Sequence, residues 1–182
     1  VDVILRQHGI HPSKERGQNF LIDQNALSKI VKAAELDKND NVLEVGPGLG
    51  VLTEELVKKA GQVISVELDK KLIFYLKQKF KGVKNLQIIE GDILRIKNNE
   101  ICKKYESKKY KVVANLPYNI TKPVLRKFLD YEPKPELITV LVQKEVAEKI
   151  AAQNNKHSIL SLSVLFYGQS EIADYVPSKS FY

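Results

Sequence analysis

Four clusters in the sequence have residue types that could bind a ligand or act on one: Glu44-Val45-Gly46-Pro47-Gly48-Leu49-Gly50, Glu67, Asp92 and Asn115-Leu116-Pro117-Tyr118. Glycines at alternate positions let a backbone turn tightly and come close to a ligand. The spacing is G-x-G-x-G, neither the G-x-G-x-x-G of dinucleotide sites nor a phosphate loop ending in G-K-[ST]. The acid Glu44, just before the turn, suits a pyrophosphate poorly. The Glu67 carboxylate can accept both hydroxyls of a ribose, and that of Asp92 can accept the exocyclic amine of an adenine. Taken singly, each is also an ordinary strand-end or turn residue. Together with the glycine turn they indicate an adenosine-bearing cofactor. In the fourth cluster Asn115 offers a side-chain carbonyl, Pro117 fixes a turn and leaves backbone carbonyls available, and Tyr118 offers a flat face. An amine held by Asn115 and the Pro117 carbonyl, with its ring on Tyr118, is set to attack a methyl donor.

The elements that must position these clusters alternate short apolar runs with amphipathic helices, the pattern of an α/β domain with a mostly parallel sheet. Strands are expected at 41–45, 62–66, 86–89, 111–114 and 137–142, and a sixth at 171–176. Asp23 caps a helix carrying Leu27, Ile30, Val31 and Ala34, and Asp69 caps one carrying Leu72, Ile73, Leu76 and Phe80. A helix lined by Thr53, Leu56, Val57 and Ala60 stops at Gly61. Thr121 caps another, with Pro123 in its first turn. Residues 97–111 are polar and Lys-rich and read as a surface loop with at most a helical turn. Residues 145–152 and 159–167 read as helices. This order gives a doubly wound sheet with helices on both faces, and such sheets bind ligands outside the carboxyl ends of their strands. All four clusters fall at such ends.

Composition narrows the partners. The 182 residues are 43% hydrophobic and 28% charged, enough for one cored domain. Lys and Arg total 29 against 22 Asp and Glu, a net charge of +7 that suits a polyanion such as RNA. Arg6, Lys14 and Arg16 are the better candidates for RNA contact; the run Lys103, Lys104, Lys108, Lys109 and Lys111, with Tyr105 and Tyr110, reads as a solvated loop. No stretch approaches the apolar length of a membrane span, and there is no secretory signal. With Cys102 alone and His8, His11 and His157 scattered, no disulfide framework and no metal site are expected. A reduced, cytoplasmic setting follows.

The motifs resemble those of the bacterial small-subunit ribosomal RNA adenine N6,N6-dimethyltransferases, with a Rossmann-like class I methyltransferase fold. The matching segments are Gly17-Gln18-Asn19-Phe20-Leu21, Glu44–Gly50, Glu67-Leu68-Asp69, Gly91-Asp92-Ile93-Leu94, Asn115–Thr121 and Gln143-Lys144-Glu145-Val146-Ala147, in the family's order. The resemblance implies S-adenosylmethionine as cofactor. Asn19 and Leu21 would close over it and Gly46 would lie against its methionine part. Glu67 would hold the ribose, Asp92 and Ile93 the adenine. Asn115 would stand where cofactor and target base meet, with Leu116 and Pro117 shaping the target pocket. Tyr118 would stack on the base, and Phe181 on its other face. The implied partner is small-subunit (16S) ribosomal RNA or a pre-30S particle, with a role in ribosome biogenesis, and a monomer is expected. The family motif continues past Phe181 into a small helical C-terminal domain. The reading is therefore a catalytic domain over 1–182, with an N-terminal arm to about residue 22 and that C-terminal domain absent. Alternatives are a large-subunit methyltransferase of the macrolide-resistance type, a ribosome-assembly RNA-binding factor and a small-molecule methyltransferase; a dehydrogenase is disfavoured by the glycine spacing.

Overall fold

The computed structural model describes residues 1–10, 17, 19–151 and 159–182. His11, Lys14, Arg16, Gln18, Ala152 and His157, all weighed above, lie outside the described residues. Five parallel strands form the centre: β1 (Asn41–Val45), β2 (Gln62–Glu67), β3 (Leu86–Glu90), β4 (Lys111–Asn115) and β5 (Leu137–Leu141), in the order β3-β2-β1-β4-β5. Their side chains alternate between two faces, both apolar, as a covered parallel sheet requires. Val42, Val63 and Val113 pack under α2 (Gln24–Ala33) and α3 (Val51–Lys59). Leu43, Ile64 and Val112 pack under α5 (Asn98–Tyr105) and α6 (Thr121–Asp130). A third cluster joins α1 (Asp2–Gln7) to α4 (Lys70–Lys79) through Leu5, Ile10, Leu72, Tyr75 and Leu76. Two further helices, α7 (Lys144–Ile150) and α8 (Ile159–Tyr167), lie beyond β5. None of the described helices is long and apolar enough to cross a membrane.

The strand order reverses between β1 and β4, which leaves a crevice above their carboxyl ends. The two Asp caps form as expected. Asp23 accepts the Asn25 and Ala26 N–H groups at 2.8 and 3.4 Å, and Asp69 those of Lys71 and Leu72 at 2.9 and 3.4 Å.

Several expectations fail for physical reasons. Residues 98–105 are a helix, not a loop: Ile101, Cys102 and Tyr105 are buried on its inner side, and the lysines sit outside. Tyr110 is buried too, and its hydroxyl bonds the Pro133 carbonyl at 2.9 Å, so neither tyrosine of the basic run is available to a base. Thr121 is the first residue of its helix, not the cap. Gly61 does not end α3 with a left-handed turn; a β-carbon there would lie 2.3 Å from the Lys38 carbonyl oxygen, so close backbone contact requires the glycine. No strand forms at 171–176, and the ladder stops at β5. The segment instead meets α2 through a solvent-exposed Lys29–Asp174 ion pair of 2.7 Å and through Val176, which packs on the α2 cluster.

Candidate functional site

The glycine turn leaves β1 into the crevice with Gly46, Gly48 and Gly50 all at positive φ (+67°, +57° and +71°), a conformation that L side chains resist. A β-carbon on Gly48 would lie 3.0 Å from the Phe20 ring, and one on Gly46 would lie 3.7 Å from Pro117. The turn is thus covered by the N-terminal arm on one side and faces the β4 turn on the other. Asn19, Leu21, Gly46, Glu67, Asp92, Ile93, Asn115, Leu116 and Pro117 all line one pocket. Of the eleven positions singled out, nine line it; Tyr118 and Phe181 do not.

Glu67 is 6% exposed. Its Oε1 accepts the Leu68 and Asp69 N–H groups at 2.8 and 2.9 Å, and its Oε2 accepts that of Gly48 at 3.2 Å. Burial raises its pKa against those three bonds. A carboxylate has about four acceptor sites, so about one remains for a ligand hydroxyl. Asp92 caps its own turn by accepting the Leu94 N–H at 2.9 Å and meets Arg95 at 3.4 Å. The ordinary turn role is realised there beside any ligand role. Ile93 is buried in the core with its edge on the pocket.

Asn115 ends β4, and its Nδ2 donates to the Asn19 carbonyl at 3.0 Å. That bond ties the arm to the crevice. It also fixes which end of the amide is which, leaving Oδ1 as the acceptor. The Pro117 carbonyl is not available as expected. It accepts the Ile120 N–H and the Thr121 hydroxyl, each at 3.1 Å, which fills both lone pairs and starts α6. Among the described residues no donor reaches the Leu116 carbonyl. The Leu116 side chain is buried in the core. Tyr118 is 38% exposed beside the pocket, with its backbone close under Gly17.

Phe181 lies outside the lining of that pocket. It forms an isolated antiparallel bridge with Leu21, a pocket-lining residue, and packs on the α2 side of the core without lining the pocket itself. Its neighbours clasp the arm. Ile22 N–H donates to the Ser180 carbonyl and Tyr182 N–H to the Phe20 carbonyl, both at 2.9 Å, and the Ser180 hydroxyl donates to Asp23 at 2.6 Å.

Glu44 opens the glycine-turn motif, but its type and spacing assign it no role there. It is 1% exposed and lines the pocket. Strand alternation carries the signal: Glu44 shares its face with buried Val42, where a carboxyl needs partners. Among the described residues no group of three or more His, Cys, Asp or Glu side chains could hold a metal.

A parallel sheet of this order, with a glycine turn after β1 and an Asn-Leu-Pro-Tyr turn after β4, defines the class I S-adenosylmethionine-dependent methyltransferase fold. Among solved structures the chain is similar to the 23S rRNA methyltransferase ErmE, with a TM-score of 0.70 and 33% identity over 79% of this chain and 56% of that one. It is also similar to a dimethyladenosine transferase from Plasmodium falciparum (TM-score 0.66, 29% identity, 80% and 52% covered). The ribosomal RNA adenine dimethylase family profile matches residues 11–182, and the chain belongs to that family. It is 51% identical over 179 residues to the ribosomal RNA small subunit methyltransferase A of Dehalococcoides mccartyi, covering 98% of this chain and 61% of the relative. The corresponding protein of Listeria monocytogenes is 38% identical, with 98% and 62% covered. The chain therefore spans about three-fifths of the length of these curated relatives.

Proposed function

We propose that the chain carries the catalytic site for S-adenosylmethionine-dependent N6-dimethylation of adenosines in small-subunit ribosomal RNA. The observation that carries this reading is the meeting of Asn115 with the glycine turn and the Glu67 and Asp92 carboxyls in one crevice. Those residues fit the cofactor. The left-handed glycine turn gives room for a close backbone approach, and buried carboxyls suit hydroxyl, amine and cationic groups. When bound, S-adenosylmethionine supplies a methyl group already activated on a sulfonium, so the protein need not furnish a strong base.

Gly46, Asn19 and Leu21 would enclose the methionine part of the donor, Glu67 would hold its ribose through the acceptor capacity left beside its three backbone bonds, and Asp92 and Ile93 would receive its adenine. The target adenosine must leave its stack to reach the pocket, with Tyr118 as the stacking face. Asn115 Oδ1 accepts one hydrogen of the amine. The Leu116 carbonyl, rather than that of Pro117, accepts the second. Holding both hydrogens turns the nitrogen lone pair toward the methyl, and orientation supplies much of the rate. The proton leaves to water after transfer. Dimethylation requires that the same acceptors also admit the monomethylated amine, which has one N–H to give.

A large-subunit target is the second reading, favoured by the likeness to ErmE. The two are separated by offering labelled S-adenosylmethionine with small-subunit particles lacking adenine dimethylation and, in parallel, with large-subunit RNA. Label on the small-subunit particles alone supports the proposal; label on the large-subunit RNA alone replaces it.

A further inference from the structure

Glu44 has no part in the steps above, yet it is the most deeply buried carboxyl in the crevice. Its Oε2 accepts the Thr53 hydroxyl at 2.7 Å and the Ser65 hydroxyl at 2.6 Å. Ser65 is its register partner across the β1/β2 pair, and Thr53 stands on α3. The other oxygen, Oε1, is buried without a hydrogen-bond partner among the described residues. The charged groups facing it are Glu67 at the end of β2 and Lys79 from α4, while β4 presents Val113. Lys79 is already engaged by Glu54 and by the Leu49 carbonyl, both at 2.8 Å. Two neutral hydroxyls and a like-charged neighbour compensate a buried carboxylate poorly. Burial pushes the Glu44 carboxyl up to about 7, against the two hydroxyl bonds and with Glu67 adding to the rise.

We infer that Glu44 is the charge-matching residue of the donor site, holding a proton before the donor binds and releasing it when the sulfonium enters. The inference rests on S-adenosylmethionine being the cofactor. The donor carries a sulfonium and an ammonium against one carboxylate, a net charge of about +1. The thioether product lacks the sulfonium and is neutral overall. Extra positive charge in a poorly solvated pocket stabilises a carboxylate nearby. The only bond that changes is the O–H of Glu44, and its proton goes to solvent. When the thioether product leaves, the carboxyl takes a proton back. The site is thereby matched to the donor more closely than to the product.

Because binding releases a proton, donor affinity rises with pH until the carboxyl ionises unaided, and levels off above that. A donor that lowers the Glu44 pKa by about two tightens roughly fivefold between pH 6 and pH 7. The product curve is flatter.

The test is titration calorimetry of the chain with S-adenosylmethionine and with S-adenosylhomocysteine at pH 6, in two buffers of different ionisation heat. The expected result is release approaching one proton with the donor and clearly less with the product. Glu44→Gln should abolish the donor's release and flatten its pH profile, which a purely structural role would not do. No buffer dependence in the wild type, equal release with both ligands, or release that persists in the variant would each overturn the inference. The donor–product comparison on the wild type decides without the variant. If neither ligand binds the wild type, the cofactor assignment itself fails, and this inference with it.

Discussion

Replacing Asn115 with alanine removes an acceptor and a donor at once, and the two losses can be read separately. The donor is the Nδ2 bond to the Asn19 carbonyl at 3.0 Å, half-buried between the β4 turn and the arm. A bond of that kind contributes about 1 kcal/mol, so cofactor affinity should weaken about fivefold as the arm loosens. The acceptor is Oδ1, which acts on the amine as it attacks. Removing one preorganised polar group from a reacting centre costs about 10²–10³ in rate. Single-turnover label transfer at saturating donor isolates the second effect, and calorimetry with the donor isolates the first. RNA affinity should stay within about twofold, because the phosphate contacts proposed for basic residues such as Arg6, which does not line the crevice, would set it. Asn115→Asp keeps an acceptor and loses the donor, so its cofactor affinity should fall as in the alanine variant while its rate falls less. A rate for Asn115→Ala within about threefold of wild type, at saturating donor, would refute the assigned role.

Three further perturbations follow from the same geometry. Gly48→Ala places a β-carbon 3.0 Å from Phe20 at a φ of +57°, at a cost of about 1–2 kcal/mol; thermal unfolding should drop by several degrees and cofactor affinity about tenfold, and unchanged values for both would contradict the reading of the turn. The raised Glu44 pKa means that the folded chain holds this proton more tightly than the unfolded chain does. Its stabilisation is therefore full below the ordinary value of 4.5 and is lost as pH rises to about 7, on the order of 3 kcal/mol in all. Urea unfolding of the wild type should show a decline over that window that Glu44→Gln lacks; parallel profiles would contradict it. Ser180→Ala removes the hydroxyl that bonds Asp23 at 2.6 Å; amide exchange at 19–22 should quicken and cofactor affinity should weaken about two- to fivefold, whereas unchanged protection of the arm would show that Ser180 does not hold it.

The ligand-facing edge was legible because parallel topology forces every strand end, and whatever follows it, to one side of the sheet. Glu67, Asp92 and Asn115 lie far apart in sequence and share a pocket for that reason. The helix at 98–105 was hidden because Lys103 and Lys104 mask a short buried stripe that only the packing against β1 and β4 reveals. The engagement of the Pro117 carbonyl was hidden because a turn proline suggests free carbonyls, whereas Thr121 and Ile120 reach back to it to start α6. A strand at 171–176 fits the apolar alternation, but alternation says nothing about whether a neighbouring edge is there to pair with. Phe181 has the residue type for stacking on a base, yet its bridge to Leu21 is a long-range contact that no local pattern records.

The central claim is that this crevice directs methyl groups to N6 of small-subunit adenosines. Nucleoside mass spectrometry of the RNA from unmethylated small-subunit particles, after incubation with the chain and S-adenosylmethionine, tests it most directly. The account predicts N6,N6-dimethyladenosine in wild-type reactions and at least about 10²-fold less with Asn115→Ala at equal early times. Methylation at any other atom, or equal dimethyladenosine from the Asn115 variant, would contradict it.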